Sequence, residues 1–282
     1  MSKLKEKLAG GLFLLTACLS ITAVILICLF LLAGGLPAIQ EIGWRNFLLG
    51  TEWRPANGLY GNLPMLAGSL YVTLGALLIG VPFGLLTAVF MAFFCPQRLY
   101  RPLKAIINLM VGVPSVVYGF FGLVVLVPFI RENIGGRGFS VLAAALLLGL
   151  MILPTIIGVA ESALRAVPAS YLEGGLALGA SYERSVFFAA LPAAKSGILA
   201  GVVLGLGRAV GETMAVMMVA GNQPVLPGSL TDGVRTLTAN IVMEMGYAAD
   251  LHRSALFGSA VVLFIFILLI NLALSCYKRR AN

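Results

Sequence analysis

The chain has 282 residues, of which 60% are hydrophobic and 11% charged, with a mean hydropathy of +1.02 and a formal charge of +8. Soluble domains charge about a quarter of their residues, so a water-exposed globule is excluded. The four cysteines (Cys18, Cys28, Cys95 and Cys276) have neither metal-site spacing nor the pattern of a disulfide framework.

In chain order, residues 1–7 are basic and residues 8–40 carry no charge. A cleaved leader would have an apolar region of about 7–15 residues, and this run is far longer, which predicts an uncleaved first span over about 8–33. A helix needs about 20 apolar residues to cross the hydrocarbon layer. Further runs of that length predict spans over about 65–94, 105–130, 140–160, 193–221 and 254–276. Alternating strand segments of a barrel are absent, and in lipid only helices then satisfy the backbone. The expected architecture is all-α: one integral membrane domain of six transmembrane helices over 1–282, with both termini on one side.

Lysine and arginine distribute unevenly over the two sides. One receives Lys3, Lys5 and Lys7, then Arg98, Arg101 and Lys104, then Arg165, Arg184 and Lys195, then Lys278, Arg279 and Arg280. The other receives Arg45, Arg54, Arg131, Arg137, Arg235 and Arg253. The positive-inside rule places both termini in the cytoplasm. Topology and membrane lipid thus account for the positive charge, and no nucleic-acid partner is implied. The outer segments 36–64 and 222–253 carry turn residues, with Trp44, Trp53 and Tyr60 in the first. Such aromatics either anchor the chain at the membrane interface or form a docking surface. His252, beside Asp250 and Arg253, is read as part of an interfacial polar cluster.

The longest inner loop, 161–192, predicts two short helices. Pro168 opens the first, with Ser170 or a neighbour as its cap. Gly179 ends it in the left-handed conformation. Ser181 caps the second, whose early Glu183 suits a helix N-terminus.

The fifth run is the exception, because it contains Arg208 and Glu212. Four residues apart in a helix, they share a face and can pair. Gly201 and Gly205 lie on that face, and Gly207 and Gly211 repeat the spacing. Small residues four apart mark close helix contact. Charges inside a membrane mark a solute path by default; the alternative is a pair that only fixes helix packing. Pro114 and Ser115 in the third run break that helix and expose backbone to the path, or else its glycines tighten packing.

Glu173-Gly174-Gly175, three residues, Gly179, eleven residues and Leu191-Pro192 resemble the Glu-Ala-Ala…Gly…Ile-x-Leu-Pro signature of permease subunits in bacterial ABC importers. Gly174, Gly175 and Ala189 depart from it. Each glycine costs about 1 kcal/mol of helix stability against alanine and permits closer backbone approach. Arg208-Ala-Val-Gly-Glu212-Thr213-Met-Ala-Val, Gly112-Val-Pro-Ser-Val-Val-Tyr-Gly and Arg235-Thr-Leu-Thr-Ala-Asn-Ile-Val-Met-Glu244 are similar to one permease type, PstC, of the phosphate-specific ABC importer.

The resemblance implies a type I importer fold (MetI-like) and a cytoplasmic loop that couples to an ATPase through Glu173, Gly174, Gly175, Gly179, Leu191 and Pro192. It implies a phosphate pathway at Arg208, Glu212 and Thr213, with Pro114 and Ser115. The implied partners are a sister permease of the PstA type, two ATP-binding cassette subunits and a periplasmic or lipid-anchored phosphate-binding protein. No Gly-Lys dipeptide of a P-loop occurs in the chain, so ATP hydrolysis belongs to a partner. No cofactor or metal is implied, and no span holds a nucleophile–base set. A permease for molybdate or sulfate, and a membrane scaffold or sensor without transport, are the competing readings.

Overall fold

A computed structural model describes residues 3–281, and side chains over residues 7–272. The side chains of Lys3, Lys5, Cys276, Lys278, Arg279 and Arg280, which enter the charge and cysteine readings, lie outside that range. Helices dominate: α1 (Lys3–Ile42), α2 (Trp44–Leu49), α3 (Leu63–Val89), α4 (Gln97–Gly112), α5 (Ser115–Phe121), α6 (Val127–Asn133), α7 (Val141–Arg165), α8 (Ser170–Ala177), α9 (Tyr182–Ser185), α10 (Leu191–Ala193), α11 (Lys195–Gly211), α12 (Met214–Val219), α13 (Leu237–Glu244) and α14 (Asp250–Ala281). Wide π-helical turns extend α3 (Phe90–Phe94), join α5 to α6 (Gly122–Leu126) and join α9 to α10 (Val186–Ala190). Two-residue strands β1 (Trp53–Arg54) and β2 (Leu59–Tyr60) pair antiparallel around a turn.

Among the described residues, five helices are long and apolar enough to cross a membrane, and a bent pair, Tyr182–Ala193 with Lys195–Gly211, makes a sixth. Counting that bent pair as one span gives six, and two of the expected runs have other bounds. The third span begins at Ser115, not near 105. Residues 97–112 form the separate amphipathic α4, because Pro114 forces Val113 into an extended conformation (ψ 125°). The fifth run is not one helix either. It stops at Gly211 and restarts at Met214.

Small residues set the core. A Cβ on Gly80 would lie 2.7 Å from Ile152, and one on Gly84 or Gly205 would lie 2.8 Å from Ile156. Helix α7 is therefore clasped between α3 and α11 at backbone distance. Ser140 caps α7, its Oγ accepting from the Ala143 N–H at 3.1 Å. Helix α1 packs on α14, where Gly35 meets Gly258 at 2.8 Å from an added Cβ. Its apolar side chains from Leu8 to Phe30 are otherwise exposed, a belt that suits hydrocarbon rather than water.

Candidate functional site

Two helix breaks are followed by helices that pack on each other. Gly119 of α5 lies under α12, where an added Cβ would be 3.0 Å from the Ala215 Cα, and Gly122 packs on Val219. The contacts advance together along both helices, so α5 and α12 run parallel. The first break, at Val113–Pro114, is bridged by Tyr118, whose hydroxyl donates to the Met110 carbonyl at 3.0 Å. That carbonyl belongs to the last turn of α4, which has no intrahelical donor.

The second break, at Glu212–Thr213, overturns the expected helical pairing of Arg208 with Glu212. Gly211 weakens the helix, and Glu212 takes an extended conformation (ψ 126°). The Glu212 carboxylate instead accepts from the Ala215 N–H at 3.1 Å and caps α12. The Thr213 hydroxyl donates to the Gly211 carbonyl at 3.2 Å. Among the described residues no ion pair joins Arg208 to Glu212. Arg208 is half-buried and has one hydrogen-bond partner among them, Thr155 Oγ1 of α7 at 3.4 Å. Of the glycines in this run, Gly201 and Gly205 pack on α7, whereas Gly207 and Gly211 have open space where a side chain would stand.

The inner loop forms a hairpin of short helices. Ser170 is the first residue of α8 and makes no cap bond, while Ser181 caps α9, accepting from the Arg184 N–H at 3.3 Å. Gly179 is left-handed (φ 81°), and the Ala180 N–H closes the α8 terminus on the Gly175 carbonyl. A Cβ on Gly175 would lie 2.5 Å from Ser185 Oγ, so α8 rides directly on α9; Gly174 meets nothing. Glu173 and Pro192 are exposed, and Leu191 packs inward. Leu178 (90% exposed) and Phe188 (77% exposed) stand out from this end. Beneath it, buried Glu161 pairs with Lys104 at 2.6 Å and Arg165 at 2.9 Å and accepts from the Tyr100 hydroxyl at 2.7 Å.

The opposite end is locked by another carboxylate. Glu244, at the end of α13, pairs with Arg235 at 2.6 Å and accepts from Trp53 Nε1 at 2.8 Å, with His252 Nε2 also at 2.8 Å. Trp53 and Tyr60 are therefore buried in a core cluster, not set out as anchors or docking aromatics, and only Trp44 is exposed. His252 turns to Glu244 rather than to Asp250 or Arg253.

Sequence reading missed Thr155, Tyr118 and Thr238. Thr155 had a signal, as the sole hydroxyl within 141–160. Thr238 had none, because its contact with Glu212 spans 26 residues.

A helical, multi-spanning membrane protein with one span broken a turn after a half-buried arginine, and a helical hairpin at one end, has the build of a solute permease. The chain matches the family described as "Binding-protein-dependent transport system inner membrane component" over residues 80–281; it belongs to that family, among its PstC-type permeases. It is 40% identical over 274 residues to a probable ABC transporter permease, YqgH, of Bacillus subtilis (strain 168), covering 93% of this chain and 89% of the relative. It is 35% identical to the phosphate transport system permease PstC of Xylella fastidiosa (strain 9a5c), covering 89% and 84%. A probable PstC of Methanocaldococcus jannaschii is 31% identical, covering 91% and 88%. Among solved structures, the fold is similar to a chain of an inward-facing MetNI methionine ABC transporter (TM-score 0.65, 24% identity, 82% of this chain and 100% of that one). It is also similar to a chain of a bacterial alginate ABC transporter complexed with an alginate-bound periplasmic protein (TM-score 0.67, 16% identity, 99% and 98%). These two likenesses establish the fold, which is MetI-like.

Proposed function

We propose that this permease forms half of the path of an ATP-driven inorganic phosphate importer, with Arg208 as the anion-binding group. The observation that carries this reading is a half-buried arginine beside two helix breaks, with no carboxylate partner among the described residues. An arginine at mid-membrane costs about 2.5–3.5 kcal/mol on insertion scales. A phosphate oxyanion offsets that cost, and the planar guanidinium matches two of its oxygens. Irregular backbone at Glu212–Thr213, inside the fifth span, is tolerated where it lines an aqueous path, and Pro114–Ser115 open the third span as the second irregular segment of that path.

Glu212 has the second role. Its carboxylate caps α12 in this state. Released from Ala215, it accepts a hydrogen bond from a phosphate hydroxyl, which sulfate at neutral pH does not have. Thr213, released from Gly211, adds a donor.

The α8–α9 end is the cytoplasmic one in this reading, as is each terminus, in keeping with the lysine and arginine asymmetry. Glu173, Gly174, Gly175, Gly179, Leu191 and Pro192 then shape the surface that meets an ATP-binding cassette subunit, and exposed Leu178 and Phe188 supply apolar contact. The complete importer contains a PstA-type sister permease, two ATPase subunits and an external phosphate-binding protein. The open faces at Gly207 and Gly211 leave room for a partner.

The test is phosphate uptake by the assembled importer in proteoliposomes. Arg208→Ala and Glu212→Gln abolish uptake while the subunits still co-purify. Wild-type uptake by Arg208→Ala ends the assignment, and loss of assembly instead assigns these residues to packing. ATP turnover stimulated by sulfate or molybdate, and not phosphate, makes the cargo another oxyanion.

A further inference from the structure

The break at Glu212 is held by a segment outside its own run. The Thr238 hydroxyl, on buried α13, donates to the Glu212 carbonyl at 3.3 Å. A carbonyl oxygen only accepts, so the single O–H of Thr238 is committed there. The neighbouring Thr236 hydroxyl, 3.1 Å from Thr238 Oγ1, must then donate to Thr238, while its own oxygen accepts from the Ala239 N–H at 3.3 Å. The polar chain therefore has one direction, ending on Glu212. The start of α13 is seated on α3, because the Leu237 N–H donates to Ser69 Oγ at 2.9 Å, both groups being buried. The end of α13 is Glu244, gripped by Arg235, Trp53 and His252. One short helix thus spans from the outer lock to the break.

We propose that α13 is a brace that sets the position of Glu212 according to the state of the outer segments, with Thr238 as the positioning residue. The proposal rests on the reading of Glu212 as a pathway group. The Glu212 carbonyl would otherwise lie without a partner where the helix has ended. With Thr238 attached, Glu212 keeps the backbone conformation in which its side chain caps α12. Loss of the attachment frees Glu212 without touching the anion site itself, so the affected quantity is coupling rather than affinity.

The experiment uses the assembled importer with its external phosphate-binding protein in proteoliposomes. It measures phosphate uptake and the ratio of binding-protein-stimulated to basal ATP turnover. Thr238→Val, which keeps the shape and removes the hydroxyl, lowers maximal uptake and that ratio about fivefold to tenfold, the weight of one hydrogen bond. The concentration of binding protein at half-maximal rate stays unchanged. Thr238→Ser restores both to within about twofold, since the hydroxyl returns. Trp53→Phe, which removes the indole donor at the other end of α13, lowers the same ratio. The double variant loses no more than the worse single one, because the two act through one element.

A wild-type ratio in Thr238→Val, or additive losses in the double variant, overturns the brace. If Thr238→Val does not assemble, Trp53→Phe decides alone, and a wild-type ratio there overturns the proposal. Glu212→Gln is run alongside. Intact uptake in that variant removes the pathway reading, whereas its loss together with normal Thr238→Val removes the brace only.

Discussion

Glu161 takes three donors onto one buried carboxylate, from Tyr100, Lys104 and Arg165. Removing it leaves Lys104 without its carboxylate and Arg165 with the Met91 carbonyl at 2.7 Å, and the Lys104 and Arg165 side chains, 31% and 43% exposed, can reach water. Glu161→Ala is therefore expected to cost about 1–3 kcal/mol, the range for unsatisfied groups, and less than the loss from a sealed pair. Thermal unfolding of the purified chain checks this, and Glu161→Gln, which keeps an acceptor, falls in between. Asp232 is a different case. The N–H groups of Gly228 and Ser229 both donate to its carboxylate at 2.9 Å and hold its pKa below the usual carboxylate range. A lowered folded-state pKa gives stability that is present above the ordinary value and lost as pH falls through the lowered one. The turn at 228–232 is expected to hold at neutral pH and to loosen in acid, with faster amide exchange at Gly228 and Ser229. Unchanged exchange across that window contradicts the assignment. The 208–212 pair shows how residue-scale reading goes astray. Spacing predicted a pair, yet the same sequence, Gly211-Glu212-Thr213, also ends the helix that spacing presumed.

Glycines carry the element scale, and their chemistry is alike while their surroundings are not. Gly174→Ala is expected to be neutral or to stabilise α8 by up to about 1 kcal/mol, the helix preference of alanine over glycine, since nothing lies within reach of its Cβ. Gly175→Ala is expected to push α8 off α9, because Ser185 Oγ stands 2.5 Å from the new carbon. Comparing ATPase-subunit binding by the two variants tests this; equal behaviour refutes it. In α11, Gly205→Val meets Ile156 at 2.8 Å and is expected to cost about 1–3 kcal/mol, as overpacked cores do. Gly207→Ala faces open space and is expected to be neutral or stabilising by up to about 1 kcal/mol in the isolated chain, as at Gly174. Denaturation of the two variants side by side distinguishes them. The small-residue spacing was legible in both cases; which face met α7 was not.

At the scale of the whole molecule, six hydrophobic stretches define the fold class, and the positive-inside asymmetry predicts its orientation. With the native cysteines replaced, Asn57→Cys is expected to react with an impermeant maleimide in intact cells, and Ser181→Cys only after permeabilisation. The reverse pattern inverts the topology. Span ends were read less well. Helix α7 continues through Glu161 to Arg165 because buried pairing satisfies charges that hydropathy alone assigns to a loop.

Composition and the spacing of apolar runs were enough to specify a multi-spanning helical protein, because lipid admits only helices or closed barrels and the alternating strand segments of a barrel are absent. The inner-loop helices were legible too, since Gly179 and Ser181 act within one turn of themselves. Contacts between distant segments were beyond the sequence. Glu244 with Trp53, Glu161 with Lys104 and Thr238 with the Glu212 carbonyl each join residues that only packing brings together. At Glu212 the local sequence weakens the helix, and only the tertiary structure supplies Thr238 as the partner of the carbonyl that the ended helix leaves open.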